Sequence, residues 1–301
     1  METAATRKTR RTRRGTAVLL LLATMACGPV DEAPERQEPA SQAQEVKSTN
    51  GGTLNGLAFN GLAFNGLAFN GLNSGEFSSW FNQDESLAEV VMRYIVTCAV
   101  PDGETRTFTD GMGRTYVWEG ALGLAPDWAS GQPANGTEQQ LVSACLAAHV
   151  NKYGRSVAIS VQGRDAHGQP IPTSQAELQE FSQREGCFFG NLFTPEGLFV
   201  GNDDTPLGEH ESSIRACALG REGDCAPIAQ VGSCAASCTP DPTNTYYTQC
   251  TRNGITYAPI TTRIHPQDIY VCGDSTCQFT ESCGIDLDTM QCTLDCGLCI
   301  R

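Results

Sequence analysis

The sequence has little positive charge and no long hydrophobic run. It contains 20 Lys and Arg residues against 34 Asp and Glu residues, which gives a net charge of −14 at pH 7. A nucleic-acid-binding protein needs clustered basic side chains to neutralise phosphates, so this balance argues against that class. No run of 18 apolar residues occurs, which excludes a bundle of membrane-spanning helices.

The sequence also lacks the usual catalytic motifs. His210-Glu211 begins like the zinc-protease motif, but Ile214 stands where the second histidine is required. No Gly-x-Ser-x-Gly turn, phosphate-binding glycine loop or dinucleotide-binding pattern is present. We therefore expect no cofactor, no metal ion and no nucleic-acid partner. An enzyme is not indicated, and an exported hydrolase of an unrecognised type stays open as an alternative.

Residues 1–26 have the three zones of a secretory signal peptide. Six basic residues lie between Arg7 and Arg14, an apolar run covers 17–23, and Ala26 precedes Cys27. An apolar run of roughly 10 residues is too short to cross a hydrocarbon layer of ~30 Å as a helix. We therefore predict export with cleavage after residue 26. Cleavage removes six basic residues and one acidic residue, so the net charge changes from −14 to −19.

The sequence around Cys27 resembles the lipobox of bacterial lipoproteins, in which a small residue precedes a lipid-bearing cysteine. Ala26 and Cys27 carry the resemblance, whereas Thr24 stands where the family usually has Leu, and Met25 is uncommon there. The resemblance implies that Cys27 is acylated, for example with palmitate, and that a membrane is the partner through this lipid anchor. Gly28 at the next position implies the outer membrane. Simple cleavage to a soluble product is the alternative.

Two segments of biased composition follow Cys27. Residues 27–54 are rich in Pro, Glu, Gln, Ser and Ala, and this composition predicts a disordered tether. Residues 55–75 repeat Asn-Gly-Leu-Ala-Phe with a period of five, which matches neither a helix nor a strand. Asn-Gly steps favour turns, so we predict a turned or flexible spacer. An ordered cap or a docking surface is the alternative.

Residues 76–205 have the pattern of a small α+β domain, because helices and a hairpin are mixed without regular alternation. Asp84 is suited to cap a helix that runs through Val96, where apolar residues recur at spacings of three and four. Strands at 106–109 and 114–118 flank a turn and predict a hairpin. The remaining predicted elements are a helix whose capping box begins at Thr137 and strands at 156–161, 187–189 and 198–200.

Cysteine is the most informative residue type, with 15 copies. If Cys27 carries lipid, 14 remain, an even number that can pair as disulfides in an exported protein. We predict a cysteine-containing extension over 206–271 and a loop-dominated, cysteine-rich module over 272–301. If that module pairs internally, the odd numbers of cysteines in 76–205 and 206–271 require a bond between these regions. The disulfide candidates are Cys98, Cys145, Cys187, Cys217, Cys225, Cys234, Cys238, Cys250, Cys272, Cys277, Cys283, Cys292, Cys296 and Cys299.

Two further features leave alternatives open. Trp118 and Trp128 lie near turns and, if exposed, would stack on sugar rings in a glycan-binding module; burial in the core is the alternative. Cys296-x-x-Cys299 has the spacing of zinc ligands, which an exported location disfavours. Acidic residues of the terminal module, such as Asp295, are either solvated loop side chains or calcium ligands.

Taken together, the signal, the tether, the Asn-Gly-Leu repeat, the Trp118–Trp128 stretch and the cysteine-rich end resemble uncharacterised surface lipoproteins of myxobacterial type. The resemblance covers most of the chain, and it implies a lineage but no activity. We therefore expect an envelope lipoprotein with a binding or structural role, whose ligand is an unidentified protein or glycan.

Overall fold

The computed structural model describes residues 41–44, 75–150, 157–203, 211–213, 228–277 and 292–298, and they form an α+β fold as predicted. Cys27 and the repeat at 55–72 lie outside these residues. The described helices are α1 (Gly75–Phe81), α2 (Glu85–Ala99), α3 (Pro126–Ala129), α4 (Gly136–Ala148), α5 (Gln175–Glu180), α6 (Cys234–Ser237) and α7 (Thr293–Cys296). The described strands are β1 (Ser41–Gln44), β2 (Thr105–Thr109), β3 (Thr115–Glu119), β4 (Val157–Gln162), β5 (Gln183–Asn191), β6 (Gly197–Asn202), β7 (Glu211–Ser213), β8 (Ile228–Ser233), β9 (Cys238–Pro240), β10 (Tyr247–Arg252), β11 (Ile255–Tyr257), β12 (Ile260–Ile264) and β13 (Ile269–Val271).

The central element is a six-stranded sheet with the order β1-β4-β12-β5-β6-β8. Its neighbours are antiparallel except for β6 and β8, which run parallel. Strand β12 lies between β4 and β5, so residues beyond 205 complete the middle of the sheet. The sequence analysis described 206–271 as an extension cross-linked to the 76–205 domain, and the structure joins the two regions through the central sheet as well. Four residues of the predicted tether, Ser41–Gln44, form the edge strand β1, because pairing with β4 needs only backbone donors and acceptors.

Helix α4 packs on β5, β12 and β6 of this sheet, helix α2 packs on α4 and β3, and the Cys98–Cys145 disulfide joins the two helices. The predicted helix at 84–96 is confirmed, because Asp84 caps α2 by accepting a hydrogen bond from the backbone N–H of Leu87 at 3.0 Å. The large apolar cluster beneath both helices includes Ile95, Leu141 and Phe188. Helix α1, which the sequence analysis did not predict, adds three aromatic side chains to this cluster at helical spacing: Phe77, Trp80 and Phe81.

Helix α4 begins two residues earlier than its predicted capping box at Thr137. Asn135 is the cap, and its side chain accepts hydrogen bonds from the N–H groups of Thr137 and Glu138, both at 3.0 Å. The buried carboxylate of Glu138 completes the box by accepting from the N–H of Asn135 at 2.9 Å. It also accepts from the N–H groups of Asp127 at 2.7 Å and Trp128 at 3.2 Å. Glu138 therefore fixes the start of α4 and the start of α3 together.

A smaller three-stranded sheet, β11-β10-β9, packs beside the opposite face of the central sheet. The alternation of side chains along β5 explains the division, since Phe188 joins the large cluster whereas Cys187 and Phe189 join the smaller one. The predicted hairpin is also confirmed: β2 and β3 pair from Thr105–Glu119 to Thr109–Thr115.

The terminal segment is held by two disulfides, Cys272–Cys292 and Cys277–Cys296. The Asp295 carboxylate accepts hydrogen bonds from the N–H groups of Gly273 at 2.6 Å and Ser275 at 2.8 Å, so it organises the loop between these cysteines. Within the part of the chain that the structure describes, no helix combines the length and apolar character needed to cross a bilayer.

Candidate functional site

The fold brings four cysteines together on the second face of the central sheet. Cys187 of β5 is bonded to Cys234 at the start of α6, and Cys238 of β9 is bonded to Cys250 of β10. The two disulfides touch, because the Sγ atoms of Cys238 and Cys187 are 3.5 Å apart. We refer to Cys187, Cys234, Cys238 and Cys250 as the sulfur cluster.

Local structure explains why these four side chains meet. Ser233 caps α6 by accepting from the N–H of Ala235 at 3.2 Å, and this single turn separates Cys234 from Cys238 by four residues. Cys234 is bonded to Cys187, and the Cys238 Sγ lies 3.5 Å from the same Cys187 sulfur, so both side chains face β5. The antiparallel register then places Cys250 directly opposite Cys238. The bond between Cys187 and Cys234 is the cross-link between the 76–205 and 206–271 regions that the cysteine count required.

A shell of aromatic rings packs against the buried side of the sulfur cluster. The rings of Phe189, Phe199 and Tyr257 lie with their centroids 5.4 to 6.0 Å apart, and all three residues are buried. Gly201 provides the space for the first disulfide, since a Cβ atom there would lie 2.9 Å from the Cys187 Sγ and 3.1 Å from the Cys234 Sγ. Only Cys238 of the four cysteines is partly exposed.

Three polar side chains, those of Arg184, Asp203 and Tyr247, border this shell and form hydrogen bonds with one another. The Tyr247 hydroxyl donates to Asp203 Oδ1 at 2.6 Å, and Arg184 Nη2 donates to the same oxygen at 2.8 Å. Arg184 Nε makes a second hydrogen bond to the Asp203 carboxylate. Burial raises the pKa of Tyr247, and the hydrogen bond to Asp203 raises it further, to about 12. Tyr247 therefore remains a protonated phenol at neutral pH and links β10 to the central sheet.

The described histidines occupy three different places. His149 caps the C-terminal end of α4, with Nδ1 2.8 Å from the Cys145 carbonyl oxygen. His167 lies 3.0 Å from Asp127 Oδ1 on the surface. The ring of His265 stacks on Phe181 with centroids 4.0 Å apart. Each imidazole therefore supports local structure at its own position.

Trp118 and Trp128 are buried, with 2% and 5% of their surfaces exposed. Of the two interpretations that the sequence left open, this burial matches core tryptophans and does not fit an exposed surface that stacks on sugar rings. Trp118 points inward because alternate residues of β3 face the core, and its ring lies 6.1 Å from those of Phe81 and Tyr116. Trp128 follows the Ala125–Pro126 start of α3 and packs in the same cluster.

Three groups of described residues have convergent metal-ligand atoms, and each group contains a disulfide. They are Cys98–Cys145–His149, Cys187–Cys238–Cys250 and Cys272–Cys292–Asp295. Zinc binds thiolates, whereas sulfurs in a disulfide have no negative charge to donate. In each group the sulfur atoms converge because two of them are bonded to each other.

Ten of the fourteen disulfide candidates are bonded in the described residues, which confirms the disulfide-rich character expected from the sequence. Such bonds persist in oxidising compartments, so they indicate an exported or extracellular protein. The remaining candidates, Cys217, Cys225, Cys283 and Cys299, lie outside the described residues. The sequence identified the cysteines but not the sulfur cluster, since only the sheet order brings β5, β9 and β10 together. No protein-family model, curated protein or solved structure matches this chain.

Proposed function

We propose that this protein is an exported lipoprotein, anchored through Cys27 in the outer membrane, whose disulfide-linked domain has a binding or structural role in the cell envelope. The observation that carries the proposal is the set of five disulfides in the described residues. One bond joins α2 to α4, two lie where β5, α6, β9 and β10 meet, and two close the terminal segment, as expected for a domain that must persist outside the cytoplasm.

The cysteine count supports a lipid on Cys27. The total of 15 is odd, and removal of Cys27 leaves an even number that can pair completely. Cys27 also follows a basic segment, an apolar run and Ala26, in the order of a lipoprotein signal. Several acyl chains on one residue provide firm membrane attachment, because each buried methylene contributes ~0.8 kcal/mol.

The polar groups of the described domain support a non-catalytic role. Glu138 is fully buried and is used as a helix cap, and Asp203 is neutralised by Arg184. Asp241 is likewise held by backbone N–H groups, those of Thr245 at 2.6 Å and Tyr246 at 3.0 Å. These carboxylates are held by hydrogen bonds that stabilise the fold. A catalytic acid or base would instead need access to a substrate.

The anchor is tested by metabolic labelling with palmitate. We expect label on the wild-type protein and none on the Cys27→Ser variant. Thr24→Leu is the matched control, because it restores the usual lipobox residue two positions before Ala26, and it should retain the label. Absence of label from the wild type, or equal labelling of Cys27→Ser, would contradict the proposal.

Intact-mass analysis of the mature wild-type protein independently tests both the lipid on Cys27 and the pairing of the other cysteines. We expect the mass of residues 27–301 plus acyl chains, with no thiol available for alkylation before reduction. After reduction under denaturing conditions, 14 cysteines should be alkylated. Alkylation of all 15 would mean that Cys27 is free and that the anchor is absent.

A further inference from the structure

The contact between two disulfides in the sulfur cluster has a chemical consequence. The Cys238 Sγ lies 3.5 Å from the Cys187 Sγ, and the Cys250 Sγ lies within 4.8 Å of both. A disulfide exchanges when a thiolate attacks one of its sulfurs, so a thiolate on Cys238 would already be in position to attack Cys187. We propose that the sulfur cluster is a thiol–disulfide exchange site that takes a small dithiol or a dithiol protein as its reducing partner.

Exposure determines where the reaction begins. Cys187, Cys234 and Cys250 are completely buried, whereas Cys238 is partly exposed at the end of α6. An external thiolate therefore reaches the Cys238–Cys250 bond through Cys238. By contrast, both cysteines of the Cys98–Cys145 bond, which joins α2 to α4, are completely buried, so that bond is protected.

The exchange proceeds in two steps that conserve atoms and electrons. The external dithiol reduces Cys238–Cys250: one of its thiolates attacks Cys238 and expels Cys250 as a thiolate that takes up a proton. The second thiolate of the dithiol then attacks the partner sulfur of this mixed disulfide, which releases the Cys238 thiolate and leaves the partner as a disulfide. The Cys238 thiolate then attacks the Cys187 Sγ, which forms Cys187–Cys238 and breaks Cys187–Cys234. The electron pair of the broken bond leaves on Cys234, which takes a proton from water. Two protein thiols result, on Cys234 and Cys250.

The fold accommodates the product of this exchange. The Cys234 Sγ lies 3.0 Å from the Gly201 carbonyl oxygen, which is in place to accept a hydrogen bond from the released thiol. Strand β5 stays covalently joined to α6, but at the C-terminal rather than the N-terminal end of that turn. Strand β10 loses its covalent link to β9. The exchange therefore removes the covalent link within the three-stranded sheet and joins its strand β9 directly to β5 of the central sheet.

Limited reduction of the native full-length protein tests the proposal. The protein is treated with dithiothreitol for increasing times, thiols are blocked with N-ethylmaleimide, and linked peptides are mapped by mass spectrometry. We expect a Cys187–Cys238 peptide to appear together with blocked Cys234 and Cys250, while Cys98–Cys145 stays intact. Mapping distinguishes this product from reduction of the terminal segment, where Cys277 is exposed. If Cys187–Cys234 and Cys238–Cys250 are the only linkages ever found among these four cysteines, the proposal is wrong.

A Cys250→Ser variant provides a test without reductant. It leaves a thiol on Cys238, so N-ethylmaleimide should label both Cys238 and Cys234 as the bond migrates. Cys145→Ser is the matched control, since it leaves Cys98 as a thiol in a described group that contains no second disulfide. Its label should not spread to another cysteine. Label confined to Cys238 in the first variant would overturn the proposal, and the wild-type mapping decides the matter if that variant fails to fold.

Discussion

The Cys98–Cys145 disulfide is expected to contribute about 4 kcal/mol to the free energy of unfolding. It links α2 to α4 across a sequence separation of 47 residues. Closing a loop of this length in the unfolded chain removes about 14 cal/mol/K of entropy, which corresponds to about 4 kcal/mol at 25 °C. The Cys238–Cys250 bond spans 12 residues, and the same relation gives about 3 kcal/mol.

Paired alanine substitutions measure these contributions without leaving a free thiol. Cys98→Ala with Cys145→Ala should lower the free energy of unfolding by about 4 kcal/mol. The Cys187–Cys234 bond is a natural control, since its separation is also 47 residues, and its removal should cost a similar amount. The third double variant is Cys238→Ala with Cys250→Ala, which removes the short loop. The assay is equilibrium unfolding in guanidinium chloride under non-reducing conditions, with the wild type and the three double variants compared at one pH.

The ranking of the three decreases in the free energy of unfolding shows whether chain entropy is the main source of the disulfide stabilisation. Both long loops should cost about 1 kcal/mol more than the short loop. Equal losses for all three variants, or a larger loss for Cys238–Cys250, would refute the loop-length argument. Local packing of the sulfur atoms would then be the larger contribution.

Three further outcomes follow from single side chains. Glu138→Ala should lower the free energy of unfolding by about 3 kcal/mol, because three backbone N–H groups lose their acceptor. Glu138→Gln should lower the free energy of unfolding by less, and urea unfolding of both variants checks this. Burial alone would raise the pKa of Asp241, but hydrogen bonds from Thr243, Tyr246 and Thr245 lower it from 3.8 to about 2. Its stabilisation is therefore present above pH 4 and is lost as the pH falls towards 2, so unfolding midpoints of Asp241→Asn should depend less on pH across that interval. Gly201→Ala should prevent the Cys187–Cys234 bond, since the added Cβ would overlap both sulfurs, and alkylation of the unreduced variant should detect two additional thiols.

Local signals were sufficient to predict several elements. The cap and apolar spacing of α2, the β2–β3 hairpin and the core of β4 depend on neighbouring residues, and all three are observed. The start of α4 was ambiguous because both Asn135-x-x-Glu138 and Thr137-x-x-Gln140 have capping spacing. Asn135 is selected because the Glu138 carboxylate accepts three N–H groups, and two of these, on Asp127 and Trp128, belong to a segment that the local pattern does not include.

Long-range pairing was the part that the sequence could not predict. The segment Ile260–Ile264 is short and contains Arg263, so it gives little sign of a central strand. Arg263 is accommodated because its Nε donates to the Phe181 carbonyl at 2.8 Å. The pairing of β12 with both β4 and β5 makes 206–271 part of the central sheet, whereas the sequence suggested an extension.

In the sulfur cluster, too, the sequence identified the residues but not their long-range arrangement. All four members of the sulfur cluster were identified as disulfide candidates, and the cysteine count required a cross-link between the two regions. Their convergence could not be predicted, because it depends on the register of β9 and β10 and on the space left by Gly201. The burial of Trp118 was equally undetermined, since a turn-proximal tryptophan has the same local sequence whether its ring faces the core or the solvent.

The central place of β12 also determines when the protein can finish folding. Val161 of β4 pairs with Thr262, and Cys187 of β5 pairs with Thr261. The two halves of the sheet are therefore joined only when β12 has been synthesised and has paired with both strands. Until that strand arrives, β4 and β5 each present an unpaired edge, which is a template for association with other chains. A chain that stops before residue 260 would therefore aggregate rather than form a smaller domain. Synthesis of the chain through residue 264 must therefore precede closure of the sheet.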